Sequence, residues 1–188
     1  MQKRTTHGFT LMEVIGVLAV IAIIASIAAP QIFQAIKDAR LTGTLQQAND
    51  LRTAVARYYK DTGRWPTHYP TSNTATVHQL MRNGANVNGW DGPYLEQELF
   101  NELSPGSNVG VFYSSSDSWT CDLDGDGNQD GEFVVFRLDG VTSDIAIELS
   151  DMMDNDGSQT AEDAKNWADA GRVRHRSNNV LSICLARV

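Results

Sequence analysis

The sequence predicts an α+β protein in which a long N-terminal helix packs on a C-terminal antiparallel β-sheet head. Three observations lead to this prediction. Residues 9–29 are almost free of charge, residues 32–58 carry apolar side chains at three- and four-residue spacing, and several strand-like runs follow residue 108. A composition of 41% hydrophobic and 20% charged residues is typical of a globular protein rather than a disordered one.

The apolar run Phe9–Ala29 contains one charged residue, Glu13. As a helix this run is about 31 Å long, which matches one bilayer core. Lys3 and Arg4 before it favour a cytoplasmic N-terminus. A secretory signal peptide or a plain single-pass anchor would account for the apolar run, but Glu13 suits neither, because a carboxylate in lipid is costly unless it is paired.

The run Gly8-Phe9-Thr10-Leu11-Met12-Glu13 is followed by the apolar segment and by Pro30. These residues resemble the cleavage and methylation signature of type IV pilins and type II secretion pseudopilins. The resemblance implies that residues 1–8 are a leader peptide, that a prepilin peptidase cleaves between Gly8 and Phe9, and that Phe9 is then N-methylated.

Cleavage would create a cationic amine at Phe9, on the same helix end as Glu13. In a helical filament, the amine of one subunit can meet the Glu13 carboxylate of a neighbour. Desolvation cancels much of the gain from such a pair, but an unpaired Glu13 is penalised. The pair therefore predicts a fixed axial register between copies of this chain.

The helix is predicted to continue beyond the membrane. Apolar positions from Ile32 to Tyr58 recur at helical spacing, and Gly63 and Pro66 are typical of a helix stop. We therefore expect a helix over 9–61 with a transmembrane segment at 9–30, and a globular head over 62–188. The stretches 58–67 and 89–95 resemble the helix exit of pseudopilins and, more weakly, the head of pilin-like proteins.

In the head, short helices are predicted at about 75–83, 94–103 and 161–170. Four β-branched and aromatic runs separated by Asp-Gly and Ser-rich breaks predict an antiparallel sheet. The predicted strands are Val109–Ser115, Glu132–Asp139, Ser143–Leu149 and Asn179–Arg187.

Two acidic stretches are candidate calcium sites. In residues 122–132 carboxylates alternate with small residues, and Gly127 stands where an EF-hand-like loop turns, although Phe133 replaces the bidentate Glu such a loop expects. The candidate ligands there are Asp122, Asp124, Asp126, Asn128, Asp130 and Glu132. A looser set consists of Asp151, Asp154, Asp156 and Asp163. The alternatives are a solvated Asp-Gly turn and an acidic surface loop. Major pseudopilins, which this chain resembles, carry a calcium site in a late loop of the head, and this favours the second set.

The two cysteines, Cys121 and Cys184, are expected to form a disulfide in an oxidising compartment. The bridge should contribute about 4 kcal/mol in the chain-entropy model. It resembles the C-terminal disulfide loop of many type IV pilins, whereas major pseudopilins usually lack one. The two Cys and four scattered His offer no zinc spacing, and the sequence has neither a phosphate loop nor a nucleophile elbow. We therefore predict that the chain is not an enzyme.

The net charge of −8, from 15 Lys and Arg against 23 Asp and Glu, disfavours nucleic acid as the main partner. Some pilins take part in DNA uptake, but the single basic cluster, Arg172, Arg174, His175 and Arg176, is more typical of a solvated face or of a contact with a neighbour's carboxylates.

The resemblance implies a structural subunit of an inner-membrane-anchored helical filament, most like a major pseudopilin of a type II secretion system. The alternative is a major or minor type IV pilin, acting in adhesion, motility or DNA uptake. Outside the family, a membrane-anchored calcium-binding module that never polymerises remains open. The implied partners are other copies of the chain, the prepilin peptidase, the inner-membrane assembly platform and minor subunits. The head would lie in the periplasm, and the filament would be a periplasmic pseudopilus or a surface pilus.

Overall fold

A computed structural model describes the chain over residues 9–66, 79–83, 86–115, 121–123, 130–154, 171–176 and 178–188. Its regular elements, in chain order, are helix α1 (Leu11–Thr62), strands β1 (Val109–Ser114) and β2 (Phe133–Asp139), helix α2 (Ser143–Asp154), and strands β3 (Val173–Arg176) and β4 (Val180–Arg187). The predicted leader 1–8 and the predicted short helix 161–170 lie outside the described residues. The α+β layout with one long N-terminal helix is confirmed.

Helix α1 is 52 residues long and continues through Pro30. It ends as the sequence predicts, because Gly63 takes a positive φ of 65° that ends the helical repeat. The Gly63 amide donates to the Tyr59 carbonyl at 2.8 Å, and the Thr62 hydroxyl donates to the Tyr58 carbonyl at 2.7 Å. Two carbonyls near the end of the helix thus have local partners.

The chain divides into two compact units between Ala39 and Arg40. In the first, here called the N-terminal segment (residues 9–39), the apolar side chains of α1 lie exposed, and this stretch is long and apolar enough to span a membrane. In the second, the globular unit (residues 40–188), α1 buries one stripe of side chains. The stripe consists of Leu41, Thr44, Ala48, Leu51, Ala54, Val55 and Tyr58.

In the part of the chain that the structure describes, the strands form one antiparallel sheet in the order β1-β2-β4-β3. One face of the sheet contributes to the main core, together with the buried stripe of α1 and with α2. The other face carries a smaller cluster of Phe112, Cys121, Phe133, Val135 and Cys184. The two faces alternate along β2, with a register shift between Val134 and Val135.

The predicted strand Ser143–Leu149 is wrong, since this run opens helix α2. Ile145, Ala146, Leu149 and Met153 all pack on the main core, which is the three- and four-residue spacing of a helix face. Asp144 in the first turn is favourable at a helix N-terminus. In place of the missing strand the sheet gains β3, which pairs with β4 through Arg174↔Ser182 and Arg176↔Val180.

The predicted helix 94–103 is also wrong, and the turn at residues 79–81 replaces the described part of the predicted helix 75–83. Distant groups take the backbone bonds of residues 94–103 that a helix would have satisfied locally. The amides of Tyr94 and Leu95 both donate to the Leu80 carbonyl, at 2.7 and 3.2 Å. The Gln47 side-chain amide, oriented to satisfy both partners, pairs with the backbone N–H and C=O of Phe100 at 3.2 and 2.9 Å.

Candidate assembly segment and acidic loops

The first turn of α1 is closed by a pair of side chains, Thr10 and Glu13. The backbone N–H and the hydroxyl of Thr10 donate to Glu13 Oε2 at 2.8 and 2.9 Å, and the Glu13 N–H donates to the Thr10 hydroxyl at 3.2 Å. This reciprocal arrangement is a capping box, which satisfies amides that an isolated helix end would leave unpaired. The Thr-x-x-Glu spacing could have revealed it from the sequence.

The capping box holds the Glu13 carboxylate at the end of an exposed apolar surface. Both bonds from Thr10 use Oε2, so Oε1 can still accept a bond from a second donor. Phe9 lies next to the box and is 89% exposed, whereas Gly8 lies outside the described residues. The arrangement can therefore present one carboxylate oxygen to a cation of another molecule.

The first acidic stretch is held closed at its two ends. The Asp130 amide donates to the Cys121 carbonyl at 3.1 Å, and the Leu123 amide donates to Asp130 Oδ2 at 2.5 Å. Asp130 Oδ1 lies 3.7 Å from the guanidinium of Arg187. Glu132 accepts a bond from the Tyr113 hydroxyl, and this bond is the main reason that the pKa of Tyr113 is raised.

The second acidic stretch is joined to the first through residues 171–173. Asp154 at the end of α2 accepts bonds from the amides of Arg172 and Val173 at 2.9 and 3.3 Å. The buried Asp122 accepts a bond at its backbone carbonyl from the Gly171 amide at 2.6 Å. The two stretches, which lie far apart in sequence, are thus brought to one short segment of backbone.

The ligand candidates that lie in the described part of the chain do not form a metal centre with one another. Within the described residues, no group of three or more His, Cys, Asp or Glu side chains is placed to hold a metal ion. Asp130, Glu132 and Asp154 accept hydrogen bonds from protein donors, and Asp151 is exposed on α2. The remaining candidates lie outside the described residues; they are Asp124, Asp126, Asn128, Asp156 and Asp163.

Cys121 and Cys184 form a disulfide, as the sequence predicts. The bridge ties the start of the first acidic stretch to β4, within the smaller apolar cluster on the outer face of the sheet. The Cys184 amide also donates to the Arg172 carbonyl at 2.8 Å. Both acidic stretches are therefore anchored to the sheet near this bridge.

The stretch 89–95 packs on the end of α1 through aromatic side chains. Tyr94 makes edge-to-face contacts with Tyr58 and with Trp90, both at 5.6 Å between ring centroids. The Trp90 indole donates to the Gln79 carbonyl at 2.8 Å. Burial raises the pKa of Tyr94. The sequence marked this stretch by resemblance alone, and the structure shows that it holds the end of the helix in place.

Two family models match the sequence. The one described as Prokaryotic N-terminal methylation motif matches residues 3–29, and the one described as Type II secretion system (T2SS), protein G matches residues 31–108. The fimbrial protein EcpC of Eikenella corrodens is 27% identical over 95 residues, which cover 47% of this chain and 62% of that protein. The chain thus spans about three fifths of the length of this relative. No solved structure matches the present chain.

The matches agree with the structure in both parts of the chain. The methylation motif falls on the capping box and the exposed apolar half of α1, and the protein G model covers the rest of α1 and the aromatic contacts at its end. The chain belongs to the type IV pilin and type II secretion pseudopilin family.

Proposed function

We propose that the chain is the major pseudopilin of a type II protein secretion system. Membership of the family implies a structural subunit that polymerises with itself and is processed by a prepilin peptidase, rather than an enzyme. The observation that carries the finer proposal is the protein G match over residues 31–108, which follows an exposed apolar helical surface in the sequence.

In this proposal residues 9–30 span the inner membrane and the globular unit lies in the periplasm. Lys3 and Arg4 support that orientation, and the Cys121–Cys184 bridge suits an oxidising compartment. The peptidase cuts between Gly8 and Phe9 and methylates the new amine. The inner-membrane assembly platform and minor pseudopilins then add the chain to the filament.

The capping box supports a specific role for Glu13 in assembly. Before assembly, Thr10 supplies the carboxylate with two hydrogen bonds in a medium without water. During assembly, the Phe9 amine of a neighbouring subunit adds a charged partner at the same helix end. A chain that is not cleaved has no amine at Phe9, so processing controls entry into the filament.

A type IV pilus subunit is the second candidate. The disulfide favours this candidate, because the Cys121–Cys184 bridge resembles the C-terminal disulfide loop of many type IV pilins. The similar Eikenella corrodens protein is also described as fimbrial. Such a subunit would act in adhesion, motility or DNA uptake at the cell surface.

Electron microscopy of the sheared surface fraction, labelled with antibody to the globular unit at native expression, separates these candidates. Label confined to the envelope, with loss of a secreted protein on deletion, is the result expected for a pseudopilin. Long labelled surface fibres would establish a pilus instead. Absence of any filament from a chain that inserts and is processed would leave a membrane-anchored module and overturn both.

We also propose that the first acidic stretch binds calcium. The bond from Leu123 to Asp130, which holds the two ends of the stretch together, and the anchoring of Asp122 and Asp154 on residues 171–173 support this proposal. Asp122, Asp124, Asp126, Asn128 and Asp130 would hold the ion with oxygen ligands. Bound calcium would neutralise carboxylates that otherwise repel one another.

The calcium proposal is tested by the melting temperature of the full chain in detergent. With a dissociation constant of about 0.1–1 mM, 10 mM calcium should stabilise the chain by about 1–3 kcal/mol and raise the melting temperature by about 3–10 °C over a chelator control. Asp124→Asn with Asp126→Asn should abolish the shift, whereas Asp151→Asn should leave it unchanged. An equal melting temperature with calcium and with chelator would overturn the proposal.

A further inference from the structure

A groove with a volume of about 600 Å³ lies on one flank of α1 within the globular unit. One wall is the helix from Gly43 to Arg57, and the other is the extended segment 94–102. Ala54, Leu95 and Leu99 contribute apolar surface to it. Because the bonds from Leu80 and Gln47 hold the segment away from helical geometry, the groove is a built feature of the fold.

The rim of the groove is acidic. Asp50, Glu96, Glu98 and Glu102 line it against one cation, Arg57, which leaves three negative charges in excess. Glu96 and Glu98 are exposed, and neither of them forms an ion pair with any residue in the described part of the chain. A groove with a mixed polar and apolar lining and an acidic rim suits a helix face that carries a cation.

The opposite flank of the same helix carries an exposed cation beside apolar side chains. Arg52 lies about 160° around the helix axis from Asp50 at 3.6 residues per turn, so the two side chains point to opposite flanks. Arg52 and Ala56 are exposed, and Tyr59, 43% exposed, follows at the next helical position on this flank. Its ring stacks on Trp65 with 4.1 Å between centroids, which fixes a flat aromatic surface beside the arginine.

We propose that the acidic groove of one copy binds the Arg52 flank of α1 in a second copy. The two surfaces lie on opposite sides of one helix, so the contact is heterologous, and its repetition generates an open helical filament when the rotation does not close into a ring. Arg52 would enter between Glu96 and Glu98, and the small side chain of Ala56 would allow close approach to the wall of the groove. This inference rests on the proposed function, because it names the surfaces through which the filament grows.

Site-specific disulfide cross-linking between two differently tagged full-length copies tests the contact. One copy carries Arg52→Cys and the other Glu98→Cys, and both are expressed together with the assembly machinery. The native cysteines are bonded to each other, so no native thiol competes. We expect a mixed dimer under mild oxidation at least about tenfold above that from Lys60→Cys with Glu98→Cys, because Lys60 lies about 80° further around the helix from Arg52.

The filament assay is read in parallel on cells that express the unsubstituted chain, because Arg52→Cys itself removes a side chain of the proposed contact. The two proposals can therefore fail separately. Filaments without the mixed dimer would overturn this contact and leave the filament function standing. A mixed dimer without filaments would support the contact and overturn the filament function, and absence of both would overturn both.

Charge reversal gives a second test of the same contact. Arg52→Glu should lower filament yield at least about tenfold, and adding Glu96→Arg and Glu98→Arg should restore it to at least about half of the wild-type yield. Failure of this restoration, with all variants stably inserted, would count against direct pairing of these residues.

Discussion

In the N-terminal segment of α1 the apolar side chains are exposed, Ile21 by 55% and Ile27 by 63%, whereas in the globular unit Leu51 and Val55 of the same helix are completely buried. Both stretches are helical and rich in aliphatic residues. The difference lies in what covers them, since the second stretch packs on the sheet and α2, whereas the aliphatic side chains of the first stay exposed.

This comparison shows that the two stretches of one helix depend on different surroundings. The globular unit is stabilised by its own burial, so its mutations should change the free energy of unfolding. The N-terminal segment depends on lipid or on other copies, so its mutations should change assembly while leaving that free energy unchanged. All four tryptophans lie after residue 64, so their fluorescence reports unfolding of the globular unit alone.

The largest effect is expected at Glu13, where a substitution should change assembly without changing the stability of the globular unit. Glu13→Ala removes the carboxylate that the capping box positions, and filament yield should fall at least about tenfold, because a neighbour's amine is left unpaired in a dry interface. Membrane insertion and the unfolding curve of the globular unit should not change. Filament counts measure assembly, and denaturant titration in detergent measures the unfolding of the globular unit.

Glu13→Gln is the matched control for this prediction, since an amide oxygen can still accept the bonds from Thr10. If filaments persist at the wild-type level with glutamine, helix capping and not charge pairing explains the need for Glu13.

The second effect belongs to the globular unit alone. Cys121→Ser with Cys184→Ser opens a bridge between residues 63 positions apart and should destabilise the unit by about 4 kcal/mol in the chain-entropy model. Its melting temperature should fall by about 10 °C. Insertion of the N-terminal segment should be unaffected. A loss below about 1 kcal/mol would mean that the unfolded chain remains ordered around this bridge.

A pair of identical substitutions tests the comparison within α1. Leu51→Ala should cost about 3 kcal/mol, because it leaves a cavity in the main core. Leu18→Ala, at a position that is 59% exposed, should change the stability of the globular unit by less than about 0.5 kcal/mol. Equal losses from the two variants, measured by tryptophan fluorescence in denaturant, would show that the two stretches unfold as one body.

The smallest effect is expected at the end of α1, where two glycines adopt positive φ. At Gly89 a Cβ would collide with the Asp61 carbonyl, so Gly89→Ala should cost about 2 kcal/mol. At Gly63 a Cβ would meet nothing within 4 Å, so Gly63→Ala should cost only about 1 kcal/mol of backbone strain. The difference in denaturation midpoints measures the close packing of stretch 89–95 on the helix, and equal midpoints would contradict it.

Much of the candidate assembly site was readable from the sequence. The leader, the apolar run and the Thr10–Glu13 spacing are local patterns, and the methylation-motif model matches across them at residues 3–29. The leader and the roles of Gly8, Phe9 and Glu13 stay predictions. The calcium ligands stay a prediction. Their identity depends on which oxygens come together in three dimensions, and the described carboxylates of Asp130 and Asp154 are bound by backbone amides from distant residues.

By itself the sequence determined α1 to within two residues at each end and three of the four strands in the sheet, because long periodic runs outweigh local ambiguity. Only the tertiary structure decided the shorter segments. Residues 143–149 became helical because Ala146 and Leu149 face the core, and residues 94–103 stayed extended because distant groups bind their backbone. Strand β3 exists only because β4 lies beside it. Over so few residues the helix and strand preferences are nearly equal, so burial and hydrogen bonds from elsewhere in the chain make the choice.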